Sequence, residues 1–160
     1  MAKIEARLAA LGLVLPPEVK PPPGIVLPFR FAHVIGKRVL ISGHGPQAED
    51  GSMAPPFGKL GRELNVEQGY VAARLTALSM LGSLQRELGS LDRIKQWVRV
   101  FGMVNSAPGF IRQPAVINGC SDLILQLWGE DAGAHARSAV GMAELPFGIP
   151  VEIEGEVEIK

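Results

Sequence analysis

Residues 135–158 read HARSAVGMAELPFGIPVEIEGEVE, and the fold turns on how that stretch is divided. Arg137 opens a run of small residues, Ser138 to Ala143, and a proline-glycine connection, Pro146 to Pro150, leads into a second segment. There Val151, Ile153, Val157 and Ile159 alternate with Glu152, Glu154, Glu156 and Glu158. Side chains along a strand point to opposite faces in turn, so this period of two predicts a strand with one apolar and one acidic face. If the two segments pair, Arg137 meets an early glutamate such as Glu152, and a cation suited to a carboxylate stands beside a group able to move protons. The plainer reading of the same spacing is a solvated edge face and a surface arginine.

Working toward the N-terminus, Gln113-Pro114 starts a helix with proline at an early position, and Val116, Cys120, Leu123 and Leu127 form its apolar stripe before Gly129. Ile94 to Val104 carries apolar residues on both faces, as an interior strand does, with Trp97 and Phe101 expected on one face as core or subunit contact. Asn65 followed by Gln68 is a capping box, and Val71, Leu75, Leu78, Leu81, Leu84 and Leu88 recur at spacings of three and four. A long helix over 66–88 ending at Gly89 follows. Residues 43–64 are rich in glycine and proline without periodicity and read as a loop, while Leu27–Val34 and Arg38–Ser42 read as a hairpin turned at Ile35-Gly36-Lys37. Two segments make up the chain: a short amphipathic helix stopped near Gly12 with a proline-rich connector, residues 1–24, and a single domain, residues 25–160. The order α, ββ, α, β, α, ββ predicts an α+β fold, a mixed sheet with two main helices on one face.

Composition narrows the function. The 160 residues balance 16 basic against 16 acidic side chains, so no electrostatic footprint points to nucleic acid or to an anionic membrane. No window reaches the roughly 18 apolar residues of a membrane span, and the opening residues lack the unbroken apolar run of a signal peptide; cytoplasmic residence is the default expectation. One cysteine, Cys120, rules out an internal disulfide framework and reads as a small core residue. His33, His44 and His135 fall in no metal-ligand spacing and read as structural or surface groups. Gly43-His44-Gly45 fits a dinucleotide fingerprint only formally, because Pro46 prevents a helix from opening there, and Gly58-Lys59-Leu60 lacks the hydroxyl of a phosphate loop.

Taken together, Leu40-Ile41-Ser42-Gly43, the region from Val104-Asn105 to Asn118, and Arg137-Ser138, Leu145-Pro146 and Val151-Glu152-Ile153-Glu154 resemble the RidA (YjgF-type) family, also called L-PSP endoribonuclease-like. The similarity runs from about Pro28 to Glu154. It implies a chorismate-mutase-like fold and a homotrimer with clefts between subunits. It also implies hydrolysis of small 2-imino or 2-enamino acids to keto acids and ammonia with no cofactor. Carried over residue by residue, Arg137 matches the arginine that binds the substrate carboxylate and Glu152 the glutamate that orients water; Asn118 and Ser42 match two further cleft positions. Phe29 stands where archetypal members have tyrosine and Ala139 where they commonly have cysteine, which makes the cleft more apolar and marks a divergent subgroup. The alternative is a trimer of the same fold that binds a small carboxylate without turning it over. Ribonuclease activity finds little support in a neutral chain without interleaved aromatic and basic residues, and chorismate mutase would need more cations than Arg137 alone.

Overall fold

The alternation that opens the account does build a strand: Val151, Ile153, Val157 and Ile159 are buried and the intervening glutamates are not. The computed structural model describes residues 2–160; Met1, at the head of the expected first helix, lies outside them. The elements are α1 (Lys3–Ala10), β1 (Ala32–Ile35), β2 (Arg38–His44), α2 (Val66–Leu88), β3 (Ile94–Asn105), α3 (Gln113–Gly133), β4 (Ala136–Met142) and β5 (Val151–Ile159). Short 3-10 turns at Leu91–Arg93 and Pro146–Gly148 join the last three strands to their neighbours. The fold is α+β, and the five strands lie in the order β1-β2-β5-β3-β4 with β3 and β4 parallel and every other pair antiparallel.

That order corrects one expectation. β4 and β5 do not pair, because β3 lies between them. The parallel β3-α3-β4 unit sets β4 on one side of β3, and the chain from Ala143 to Pro150 then crosses the end of β3, where Asn105 N donates to Pro150 O at 2.9 Å. β5 is thereby delivered to the other side. Two further differences are local. The first strand begins at Ala32 rather than Leu27, beyond Pro28, which has no N–H to give a ladder. A register shift between Trp97 and Arg99 turns Trp97 into the core, 3% exposed, while Phe101 looks out from the opposite face half-buried.

α2 and α3 cover one face. The capping box forms as expected, with Gln68 N donating to Asn65 Oδ1 at 2.9 Å and Asn65 N to Gln68 Oε1 at 3.0 Å. Gly89 ends α2 in the left-handed conformation, φ 80°. In α3 the helical turns break at Gly129, φ 76°, and one more turn continues to Gly133. The layers meet closely at small residues: a Cβ on Gly102 of β3 would lie 2.6 Å from Ile117 of α3, and one on Gly155 of β5 would lie 3.4 Å from Met80 of α2. Val100, Gly102 and Val104 therefore face the helices, and Arg99, Phe101 and Met103 face away.

The N-terminal segment is strapped onto this body. Ile4 and Leu8 are buried in the shared core, and Asp92 receives Lys3 N at 2.7 Å and Ile4 N at 2.9 Å, capping α1 from a distant turn. The connector is tied by Arg86 Nη1, which donates to Pro16 O at 3.1 Å. Of the expected loop 43–64, Gly43 and His44 extend β2 and the rest is loop, but Leu60 and Leu64 are buried and Leu60 N donates to Asn105 O at 2.8 Å, so its second half belongs to the core. No helix among the described residues is long and apolar enough to cross a membrane.

Candidate functional site

Register sorts the six residues singled out from the sequence into two groups. Arg137 lies opposite Val100, which faces the helices, whereas Glu152 lies opposite Met103, which faces away. Within one chain the two side chains therefore leave opposite faces of the sheet, on strands two spacings apart, about 10 Å. They do not meet.

The first group stands where β4, an edge strand, passes α3. Arg137 Nη1 donates to Asn118 Oδ1 at 2.8 Å and to Ser121 Oγ at 3.1 Å, both on α3 and three residues apart, hence on one helix face. Ala139, two residues along β4 on the same face, packs against the core. With Asn118 Oδ1 engaged by the arginine, its Nδ2 is the end left to meet water or substrate. Beneath the group, Ser121 Oγ lies 2.9 Å from His135 Nε2, and His135 Nδ1 lies 2.7 Å from Gly133 O. Burial holds the His135 imidazole below its usual range, with Arg137 adding to the effect. Burial also pushes the Cys120 thiol up to about 12, which leaves it the small core residue its place on the apolar stripe implied.

The second group lies toward the β1-β2 side, with Glu152 on the open face and Phe29 near α2. Glu152 extends over Gly43, where a Cβ would come within 3.0 Å of Glu152 Cδ, so the missing side chain makes room for the carboxyl. Ser42 Oγ donates to Arg30 O at 2.6 Å, tying β2 to the segment that carries Phe29. Phe29 is 50% exposed and packs edge-to-face on Phe31 with ring centroids 5.4 Å apart. Phe31 in turn lies against His44, which is buried between Ser42 O at 2.6 Å and Ser83 Oγ at 2.8 Å.

The acidic row of β5 is unequal along its length. Glu156 pairs with Arg38, and Glu158 takes Lys95 Nζ at 2.9 Å and Gln96 Nε2 at 2.7 Å. Glu152 and Glu154 meet no cation among the described residues. Burial, then the nearby Glu154 carboxylate, holds the half-buried Glu152 carboxyl above its usual range. Arg137, which the sequence would bring to Glu152 if the two segments paired, is on the other face within one chain and does not offset that rise. Nowhere among the described residues do three His, Cys, Asp or Glu side chains gather as a metal site would require.

Sequence reasoning passes over Ser121 and takes His135 for a structural or surface histidine. The signal was present in the spacing. Ser121 follows Asn118 by three on a helix and so shares its face, and His135 stands two residues before Arg137, immediately ahead of β4.

The α+β sheet, five mixed strands with α2 and α3 on one face and Arg137 on an edge strand, is the fold of a known family. Residues 5–149 match the family described as "YjgF/chorismate_mutase-like, putative endoribonuclease". The chain belongs to that family. It is 41% identical over 158 residues to Protein TCP17 of Trypanosoma cruzi, covering 98% of this chain and 94% of that one. The crystal structure of Atu1372 from Agrobacterium tumefaciens, a protein of unknown function, superposes with a TM-score of 0.85 at 39% identity over 98% of this chain and 92% of that one. A structure from Shewanella oneidensis MR-1 superposes with a TM-score of 0.87 at 32% identity over 99% and 100% of the two chains.

Proposed function

We propose that the protein is a RidA-type deaminase that hydrolyses small 2-imino and 2-enamino acids, in a cleft formed where two copies of the chain meet in a homotrimer. The observation that carries this reading is the division of the site. Arg137 has free guanidinium donors at an edge strand, Glu152 has a half-buried carboxyl without a cation on the open face, and the two cannot meet within one chain. Docking the edge of one copy onto the open face of the next unites them and covers Leu40 and Val140, which are exposed hydrophobics on that face.

The chemistry needs little more. A substrate carboxylate pairs with the Arg137 guanidinium, which fixes the C=N carbon. Glu152 takes a proton from water as the oxygen adds to that carbon and passes it to nitrogen, giving a carbinolamine; it then takes the hydroxyl proton and delivers it to nitrogen as the C–N bond breaks and the C=O bond forms. Imine and water become ketone and ammonia, so no oxidant or cofactor enters. A carboxyl whose ordinary affinity for protons is raised by burial suits both halves of that exchange, and an arginine from the neighbouring copy would pull it back toward ionisation. Ser42 and the Asn118 amide are the remaining polar groups for placing water.

A second reading is favoured by one observation: Phe29 and Ala139 bring neither a hydroxyl nor a thiol to the cleft. Binding of a small carboxylate without turnover would then be the whole function. A coupled assay separates the two, with an amino-acid oxidase or dehydratase generating the imine and keto-acid release followed. Arg137→Ala is expected to abolish both imine hydrolysis and carboxylate binding while the oligomer persists. Activity at the wild-type level in that variant would remove the arginine from the site.

A further inference from the structure

Resting on the reading of Arg137 as the carboxylate-binding group, we infer that His135 and Ser121 are positioning residues that fix which edge of the Arg137 guanidinium faces the substrate. Hydrogen inventory drives the argument. Gly133 O can only accept, so the 2.7 Å contact requires the proton on His135 Nδ1. In the neutral ring Nε2 is then an acceptor, and it takes the one hydroxyl hydrogen of Ser121 across 2.9 Å. Ser121 Oγ is left with lone pairs alone to offer and receives Arg137 Nη1 at 3.1 Å. Asn118 Oδ1 takes the other Nη1 hydrogen at 2.8 Å.

Both hydrogens of Nη1 are thus committed to α3, and among the described residues Nε and Nη2 have no partner. Those two nitrogens form a parallel pair of donors along one side of the guanidinium plane, the geometry that matches a carboxylate bidentately. A monoacid held side-on by Nε and Nη2 has its 2-carbon directed along a single line. Without the histidine, the serine hydroxyl could rotate and present its hydrogen to the arginine, and the guanidinium would lose one of its two anchors. Burial, with Arg137 nearby, lowers the His135 imidazole, in the direction the arrangement requires.

The test uses the full-length protein with pyruvate as the probe and three readouts. The first is the ring tautomer of His135 by nitrogen NMR, expected as Nδ1–H. The second is hindered rotation of the Arg137 guanidinium, seen as resolved Nη signals in the wild type that merge in Ser121→Ala and in His135→Phe. The third is pyruvate affinity. It should weaken roughly three- to tenfold in Ser121→Ala, the range for net loss of one ordinary hydrogen bond, and recover in Ser121→Thr, which restores the hydroxyl. An Nε2–H tautomer, guanidinium signals unchanged in both variants, or wild-type pyruvate affinity in Ser121→Ala would each overturn the inference. Arg137→Ala separates this failure from that of the underlying reading. If it binds pyruvate as wild type does, the site assignment falls. If it loses pyruvate while Ser121→Ala keeps it, only the positioning role falls. Should a variant fail to fold, the wild-type tautomer and guanidinium signals still decide.

Discussion

His44 is a buried histidine whose titration bears on stability. It sits 4% exposed between Ser42 O and Ser83 Oγ, and burial lowers its imidazole from the ordinary 6.5 to about 4. The unfolded chain takes up a proton below pH 6.5 that the folded chain refuses, so the stability tied to this group is complete above that pH. It drains away as pH falls through about 4, by roughly 3 kcal/mol in all. Urea unfolding between pH 7 and 4 measures this, and His44→Gln is expected to show a correspondingly shallower pH dependence; identical slopes would contradict it. Nothing in the primary sequence distinguished His44 from His33, because the difference is depth, and depth depends on α2 bringing Ser83 down onto β2. Arg137 and Glu152 were legible as a pair of chemical types, yet their separation onto opposite faces was not, since it follows from the register of a third strand.

Local elements were legible wherever their own residues dictate them. The capping box at Asn65 and Gln68, the stop at Gly89, the early Pro114 and the period-two row of β5 all rest on interactions within a few residues. Pairings between distant elements were not. Proximity along the chain favoured a β4-β5 hairpin, but a parallel β3-α3-β4 crossover takes one side of β3 and leaves β5 the other. The shift between Trp97 and Arg99 was equally hidden, because a bulge breaks the alternation that counting assumes. Helix crossing gives the sharpest prediction at this scale. A Cβ on Gly119 would lie 2.0 Å from Tyr70 O, a backbone atom of α2 that cannot move aside alone. Gly119→Ala must therefore push α3 away from α2, and is expected to lower unfolding free energy by about 3 kcal/mol or more. Because Asn118 and Ser121 flank that glycine, pyruvate affinity should fall with it. Unchanged thermal stability would show that the helices do not cross there.

At the scale of the molecule, one face of the sheet is covered by α2 and α3 and the other by no helix among the described residues. That open face is chemically divided: Glu156 and Glu158 are neutralised by Arg38 and Lys95, whereas Glu152 and Glu154 meet no cation among the described residues, and Leu40 and Val140 are exposed on the same face. Family membership was legible from the combination of segments, and the α+β class from the order of elements; that the site is split between faces became visible only in three dimensions. The central claim is that Arg137 of one copy and Glu152 of another complete a single site. Mixing tests it. Arg137→Ala and Glu152→Gln chains, each inactive alone, are co-refolded in equal amounts and assayed for imine hydrolysis. A shared site predicts recovery of roughly a quarter of wild-type turnover per chain, the statistical share of intact pairings in a closed ring. A mixture as inactive as its parents, alongside an active wild type, would contradict it.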